Sequence, residues 1–262
     1  MMIFMGFLIV LSCALHAGDI TSGTVVKTIT AQQQSATSKI TYAFYAVDRG
    51  NLPPYQQKIN ELISSAVPFR MSDEDAPQGI STVSEAFFRE VLGTLEQRYQ
   101  QYQTSATDVN EAPWVVIDST VIQDQVRVFG KLTNLAQVVR FRYEFTGGAH
   151  GNSTTSVTYV SKDTGKELSF ASDMISDLPT FEKIAEKYFR KIRKIPAKRS
   201  LKKAGYLFDQ GFGLSENIIL TNDAVTLIYN PYECAPYVMG EIRVSIPLKD
   251  VANFIRVSTA TP

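Results

Sequence analysis

Hydrophobic and polar positions repeat with two different periods along this chain, and each change of period marks a change of element type. Two β-rich runs, residues 24–30 and 38–47, open it on either side of a polar Gln/Ser turn region. Apolar residues at three- and four-residue steps then predict a helix over 54–66 and a second helix with Ser81 as candidate N-cap. The aromatic stripe of the second helix is typical of a side that faces a core.

Strand-like alternation returns at Trp114. Four consecutive runs predict an antiparallel meander: "WVVIDSTVI", "QVRVFGKLT", "VVRFRYEFT" and "STTSVTYVS". An Asp-Thr-Gly turn in "KDTGKEL" then leads to a short fifth strand that reaches Phe170. A helix is predicted from Leu178 to about Ile195, where Pro196 ends it.

The tail returns to strands with "NIIL", "AVTLIYN" and "EIRVSIPL", followed by an amphipathic "KDVANFI". The sequence therefore predicts an α+β fold, in which helices pack on an antiparallel β-sheet meander and form two closely packed lobes. No internal repeat or low-complexity linker interrupts the pattern.

The first 17 residues carry an apolar run followed by small residues, which has the length of a signal-peptide core. We therefore expect export, to the periplasm or as an envelope-anchored lipoprotein. Two processing routes stay open: the segment "VLSC" roughly fits a lipobox with Cys13 as the lipidated residue, whereas ordinary cleavage would fall near Ala14 or Ala17. No Lys or Arg precedes the run, the first cation being Lys27.

Composition excludes a disordered chain, because 44% of the residues are hydrophobic and 20% are charged. The 26 basic and 26 acidic residues balance, and we expect no nucleic-acid partner. Outside the leader, the only histidine is His150 and the only cysteine is Cys234. Zinc and triad chemistry both need convergent partners that show no recognisable spacing here, so we predict no catalytic residue, no metal and no cofactor. Cys234 has the surroundings of a small buried side chain.

A basic segment, residues 183–203, contains ten cations and one carboxylate, Glu186. Such a segment is either a solvated helix face with its loop or a surface that attracts anionic envelope polymers or lipid headgroups. The second alternative makes Lys191, Lys194 and Lys198 the candidate patch for an anionic partner.

Two motifs in a fixed order resemble a known family. The segment "YEFTGGAHGNSTTSVTYVSKDTGKELSF" resembles a Tyr-x-Tyr-Thr-Gly-Gly-Ala-His-Gly turn, a strand and an Asp-x-x-Thr-Gly-Lys turn, and "YNPYECAPYVMGEIRVSIPL" resembles a Tyr-x-Ile-Ala-Pro-Tyr-x-x-Gly core before a strand. Both are similar to the domain-of-unknown-function family shared by the lysozyme-sensing extracytoplasmic domain of the anti-sigma factor RsiV and the N-terminal region of the peptidoglycan deacetylase PdaC. The resemblance implies an N-terminal variable lobe over 20–140 and an RsiV-like domain over 141–256.

The resemblance implies a non-enzymatic binding module, with lysozyme or peptidoglycan fragments as partners, and we expect only this module to carry over. We predict that ligand contacts come from Gly147, Gly148, His150 and Gly151 and from Tyr229, Tyr232 and Tyr237, whose alternative role is packing. Paired glycines suit a tight turn with positive φ. The alternatives in function are a small envelope hydrolase or esterase that uses His150, and a structural lipoprotein whose basic helix binds anionic polymers. The oligomeric state is not predicted.

Overall fold

The computed structural model describes residues 19–31, 34–46, 52–65, 84–105, 114–209 and 211–256, and the predicted leader with Cys13 lies outside these ranges. The chain divides into two compact units: unit 1 comprises 1–122 and 140–152, and unit 2 comprises 123–139 and 153–262. These units reflect compactness alone, and the lobes at 20–140 and 141–256 stay a prediction about domain organisation.

The described parts of the chain contain strands and helices in mixed order, which confirms the α+β class. The strands are β1 (Ile20–Ala31), β2 (Gln34–Tyr45), β3 (Trp114–Gln123), β4 (Arg127–Val128), β5 (Lys131–Leu132), β6 (Leu135–Phe145), β7 (Asn152–Ser161), β8 (Glu167–Leu168), β9 (Asn217–Leu220), β10 (Ala224–Tyr229) and β11 (Ile242–Pro247). The helices are α1 (Pro54–Ser65), α2 (Glu85–Ser105), α3 (Phe170–Met174), α4 (Leu178–Ile192) and α5 (Leu248–Val251). No helix in the described ranges is both long and apolar enough to cross a membrane.

In unit 1 the strands lie in the order β1, β2, β3, β6. β1 and β2 pair antiparallel with Ile20 opposite Tyr45, whereas β2 and β3 pair parallel with Ala36 opposite Trp114. The largely antiparallel sheet thus contains one parallel pair, which the sequence pattern did not predict. The physical reason is the connection: α1 and α2 separate β2 from β3 in the chain, and a long crossover of this kind allows parallel pairing.

Helices α1 and α2 anchor on β2 by different interactions. Phe88 of α2 stacks on Tyr42 with 4.6 Å between ring centroids and an interplanar angle of 7°. Asn60 of α1 accepts a hydrogen bond from the Tyr45 amide and donates one to the Tyr45 carbonyl, both at 2.9 Å. The buried amide side chain thus satisfies both backbone groups at the last residue of β2, where the ladder ends.

A buried carboxylate lies between two arginines on the same sheet. Asp118 of β3 is 1% exposed and accepts from Arg140 Nη2 at 2.6 Å and from Arg142 Nε at 3.2 Å. Burial of one charge without its partner costs several kcal/mol, so this set favours the alignment of β3 with β6 that brings the three residues together.

The second of the four predicted runs does not form one strand of a meander. Its residues fold back on themselves as β4 and β5, around Phe129 with φ 49° and Gly130 with φ 78°. Two central residues with positive φ define the type I′ hairpin turn, whose twist matches that of short paired strands. The Phe-Gly dipeptide in the middle of the run therefore breaks a pattern that alternation alone predicts as continuous.

In unit 2, β9, β10 and β11 form an antiparallel sheet in the order β11, β10, β9, and β7 pairs antiparallel with β8. The tail strands follow the predicted runs closely. Phe170, predicted as the end of a fifth strand, instead begins α3, because the Ser169 hydroxyl caps the helix by accepting from the Ser172 amide at 3.4 Å. That correction shortens the fifth strand to two residues.

Helix α4 begins where the sequence predicts, with Asp177 as N-cap accepting from the Thr180 amide at 3.1 Å. It ends at Ile192, three residues before the predicted end. Lys194 has φ 54°, and its amide donates to Lys191 O (3.3 Å), while the Ile195 amide donates to Arg190 O (2.8 Å). These two bonds form a Schellman motif, which ends the helix before the proline does.

Side chains close the free edge of β7 in unit 2. Asn230 accepts from the Thr155 amide at 2.7 Å and donates to the Thr155 carbonyl at 3.0 Å, as a neighbouring strand would. Asn217 accepts from the Val157 amide at 3.1 Å. The Tyr159 hydroxyl accepts from the Leu220 amide at 2.8 Å, so the tyrosine of β7 in turn satisfies a backbone group of β9.

Replacing Asn230 by alanine should destabilise the fold by about 2–4 kcal/mol, because the amide and carbonyl of the buried Thr155 would both lose their partner. Urea denaturation with an unchanged m-value measures this. Asn134→Ala is the matched control, since Asn134 bonds the exposed carboxylate of Asp163, and it should cost less than about 1 kcal/mol. Equal losses in the two variants would contradict the role assigned to Asn230.

Candidate functional site

The GGAHG loop, residues 147–151, follows β6 in unit 1. Gly147 has φ 101° and Gly148 has φ 91°, a region that side-chain-bearing residues rarely adopt. The prediction that the paired glycines form a tight turn with positive φ is confirmed. At Gly148 the preference for glycine comes from the backbone angle and not from crowding, since an added Cβ would meet nothing within 4 Å.

His150 is exposed at the tip of this loop, and its Nδ1 lies 3.0 Å from the carbonyl oxygen of Gly151. Gly151 itself is buried, and a Cβ added there would lie 2.6 Å from Cζ of Tyr143. A side chain at position 151 would therefore force the ring of Tyr143 to move. The described contact of His150 holds its ring against the loop's own backbone, which fits a recognition or structural residue.

The aromatic loop, residues 230–241, joins β10 to β11 in unit 2. Tyr232 is 56% exposed and Val238 is 90% exposed. The rings of Tyr232 and Tyr237 lie side by side, with 5.6 Å between their centroids and an interplanar angle of 32°. The structure thus brings two of the predicted tyrosines together on one surface.

Tyr229, the third predicted tyrosine, is a core residue. It is 3% exposed, its hydroxyl donates to Gly213 O at 2.8 Å, and its ring packs edge-on against Phe189 with 5.8 Å between centroids. Burial raises the pKa of its phenol above the ordinary value. Because its side chain has almost no surface to offer a ligand, the packing alternative holds for Tyr229, and the predicted ligand contact is corrected.

Hydrogen bonds hold the aromatic loop in one conformation. Both carboxylate oxygens of Glu233 accept from Asn230, one from its backbone amide and one from its side chain, each at 2.8 Å. The Tyr232 amide donates to Ala235 O at 3.1 Å, although Tyr232 has φ 73°. A bulky residue in the left-handed region costs about 1–3 kcal/mol and persists only where its surroundings determine it. The exposed ring of Tyr232 and the half-buried ring of Tyr237 are therefore presented by a braced turn.

The aromatic loop contains two carboxylates, Glu233 and Glu241, and no Lys or Arg. Glu241 pairs with Arg243 Nε at 2.6 Å, and it also accepts from the Thr155 hydroxyl. Among the described residues Glu233 forms no ion pair, and its carboxylate accepts from neutral Asn230 groups. The two tyrosines thus lie beside a carboxylate.

Cys234 lies inside this loop and is 1% exposed, as expected for a small buried side chain. Burial of the thiol, with the nearby Glu233 charge as a second cause, raises the pKa of Cys234 to about 12. A thiol that stays protonated is a poor nucleophile and a poor metal ligand. Within the described part of the chain, no group of three or more His, Cys, Asp or Glu is arranged to hold a metal ion.

In the basic segment, residues 183–203, the arginines are engaged within the protein. Arg190 pairs with Glu186 at 2.7 Å and donates to Arg199 O at 2.8 Å. Arg193 donates to the Tyr206 hydroxyl at 2.7 Å, and Arg199 donates to Lys203 O at 3.0 Å. These arginines fasten the loop after α4 to the helix.

The lysines of the predicted anionic-partner patch occupy three different settings. Lys191 is on α4 with its ammonium 6.0 Å from the Tyr188 ring centroid, Lys194 is in the Schellman turn, and Lys198 is in the turn beyond Pro196. All three lysines are exposed. Of the three, only Lys191 lines the groove beside α4.

Sequence reasoning did not identify an open groove of about 740 Å³ in unit 2. Its walls come from three separated segments, 156–159, 167–173 and 214–217, and include the carboxyl-bearing residues Glu167 and Glu216. The volume lies in the range of small-ligand sites. No local motif marks it, because its residues meet only after β7, α3 and β9 come together.

Cys234 should react with a thiol reagent at pH 8 about a thousandfold more slowly in the native protein than in denaturant, since a pKa three units higher lowers the thiolate fraction by that factor. The comparison uses a Cys13→Ser background. Because the folded pKa is raised above the unfolded 9.0, the stability that this group contributes is present below pH 9 and is lost as pH rises toward 12. Native labelling at the rate of a free thiol would contradict the assignment.

Comparison with known proteins links the second half of the chain to a family. Residues 170–249 match the family model described as a protein of unknown function, DUF3298. The matched segment contains the aromatic loop and the basic segment, and the GGAHG loop lies outside it. A search of curated proteins finds no match.

Two crystal structures share the fold over most of the chain. A DUF3298 family member from Bacteroides fragilis NCTC 9343 is 18% identical with a TM-score of 0.66, and the alignment covers 92% of this chain and 94% of that one. A DUF3298 family protein from Pseudomonas aeruginosa PAO1 is 20% identical with a TM-score of 0.57, covering 91% and 93%. The family resemblance indicated by the sequence motifs is confirmed, with residues 170–249 as the segment that matches the DUF3298 model.

Proposed function

We propose that this protein is an exported, non-catalytic binding module of the bacterial cell envelope that recognises its ligand through the aromatic loop, residues 230–241. The observation that carries the proposal is the braced pair Tyr232 and Tyr237, with Val238 beside it. Exposed apolar groups of this kind, on a rigid support, are typical of binding surfaces. Export and either lipidation of Cys13 or cleavage of the leader are part of the proposal.

Rigidity supports a binding role for this loop. Tyrosine offers a large contact area with few rotatable bonds, and little conformational entropy is lost when the turn is already ordered. Hydrogen bonds within the loop, from Tyr232 N to Ala235 O and from Met239 N to Pro236 O, order it in the unbound protein. The positive φ of Tyr232 is the local cost of that order.

Charge favours a cationic protein partner over a neutral glycan at this loop. Lysozyme is the partner that the family resemblance implies, and lysozymes are commonly cationic. The carboxylate of Glu233 beside the tyrosines is complementary to such a partner. Peptidoglycan fragments are the second candidate ligand, since tyrosine rings also stack on sugars. In both cases the protein binds its ligand and catalyses no reaction on it.

The double variant Tyr232→Ala/Tyr237→Ala should weaken lysozyme binding at least 30-fold, because even one central aromatic contact contributes about 2 kcal/mol or more in a typical interface. Calorimetric titration of the purified protein at two salt concentrations measures this. Phe129→Ala is the matched control, since Phe129 is 53% exposed but lies in the β4–β5 turn, and it should leave the affinity unchanged.

If the protein binds peptidoglycan fragments through the same tyrosines and does not bind lysozyme, the ligand of the aromatic loop is a glycan. Absence of both interactions, or equal weakening by Phe129→Ala, would overturn the aromatic loop as the binding surface. The Glu233→Gln variant removes the charge together with one of the two hydrogen bonds from Asn230. The loss that comes from charge should appear as slower lysozyme association chiefly at low salt, because electrostatic steering is screened over about 8 Å at physiological ionic strength.

A further inference from the structure

We infer that the outer face of α4 and the loop after it form a second binding surface, which holds a linear phosphodiester polymer along a row of lysines. This surface is independent of the aromatic loop and of the function proposed for it. The inference rests on the position of each cation in the basic segment, on the spacing of three lysines along the helix and on the groove beside them.

The cations of this segment divide by residue type. Arg190, Arg193 and Arg199 direct their guanidinium groups to Glu186, to the Tyr206 hydroxyl and to backbone carbonyls. Arginine suits these tasks, because its planar fork satisfies several acceptors at once. Lys202 pairs with Asp209 at 2.9 Å, and the other exposed lysines supply the positive charge of the surface.

Three of these lysines form a row. Lys183, Lys187 and Lys191 are each four residues apart, so their Cα atoms rise by about 6 Å per step on one face of α4. The buried residues of the helix, Phe181, Ala185 and Phe189, follow the same four-residue step but are offset by two positions, about 200° around the axis. The row therefore faces away from the core.

A groove runs beside this row. It has a volume of about 480 Å³, and its lining residues are Lys183, Glu186, Lys187, Arg190, Lys191, Ile195 and Ala197. The far wall, at Ile195 and Ala197, is held in place by the Schellman bond to Arg190 O and by Arg190 donating to Pro196 O at 3.3 Å. Glu186 is paired with Arg190, so the three lysines supply the net positive charge of the groove.

These features favour a polymer over a single anion. Three lysines whose Cα atoms rise by about 6 Å per step lie in a row and do not surround one point, as the ligands of a single phosphate would, but they match negative charges repeated along a chain. Phosphates joined by a three-carbon polyol repeat at about this distance. Lysine binds phosphate as a point charge on a flexible stem, which tolerates small differences in spacing. The apolar wall at Ile195 and Ala197 offers contact to the carbon atoms between the phosphates.

The test compares three forms of one anionic group on the purified full-length protein: a short poly(glycerol phosphate) oligomer, glycerol phosphate, and vesicles that contain phosphatidylglycerol. We expect the oligomer to bind in a salt-sensitive manner, with log K falling by about two per tenfold rise in salt for three contacts, by analogy with single-stranded polyanions. Tighter binding of glycerol phosphate or of vesicles than of the oligomer would overturn the inference, the latter in favour of a lipid surface.

Two triple variants of equal charge locate the site. Replacing Lys183, Lys187 and Lys191 by Gln should weaken oligomer binding about 100-fold, since each lysine near an anionic surface contributes roughly a fivefold factor. Replacing Lys194, Lys198 and Lys203 by Gln removes the same charge outside the groove and should weaken it no more than about threefold.

Equal losses of oligomer affinity in the two triple variants would mean that net charge alone drives binding, and would overturn the groove as the binding site. A third variant, with arginine at positions 183, 187 and 191, keeps the charge and should retain oligomer binding. All these side chains are exposed, so thermal unfolding of each variant should match the unchanged protein. Lysozyme binding through the aromatic loop should persist in the groove variant, which separates the two surfaces.

Discussion

The structure of unit 2 depends on how the open edge of β7 is closed. A strand edge presents amide and carbonyl groups, and leaving one of them buried without a partner costs about 1–3 kcal/mol. Here Asn230 forms hydrogen bonds with both the amide and the carbonyl of Thr155, and Asn217 accepts from the amide of Val157. Since β7 needs no further strand at these positions, the sheet of β9, β10 and β11 can meet it through side chains.

The same edge positions the aromatic loop. Asn230 is the first residue of that loop, and it binds β7 on one side and Glu233 on the other. Glu241, at the opposite end of the loop, accepts from the Thr155 hydroxyl. A single residue of β7, Thr155, is therefore bonded to both ends of the turn that displays Tyr232 and Tyr237. The position of the two tyrosine rings is therefore fixed by hydrogen bonds that also stabilise the fold.

Local patterns predicted the elements well and the pairings less well. Helix α4 and strands β9 to β11 follow from periodicity and turn residues, since both act over a few positions. The parallel pairing of β2 with β3, the hairpin at Phe129 and the helix start at Phe170 depend on connections or single backbone angles that periodicity does not register. In the candidate site, the sequence alone does not distinguish Tyr229, Tyr232 and Tyr237. Tyr229 is buried at the last position of β10, whereas in the loop beyond it Tyr232 is exposed and Tyr237 is half-buried.

The basic segment shows why a count of charges is a weak guide to a surface. Ten cations and one carboxylate lie within 21 residues. The arginines, however, bind within the protein: Arg190 and Arg199 donate to backbone carbonyls of the loop after α4, which suits the fork of donors on a guanidinium group. Of the lysines, Lys183, Lys187 and Lys191 are ordered by the helix, opposite the buried face and at intervals set by the α-helical rise. The geometry of those intervals, more than the net charge, decides whether an ion, a membrane or a polymer fits the surface.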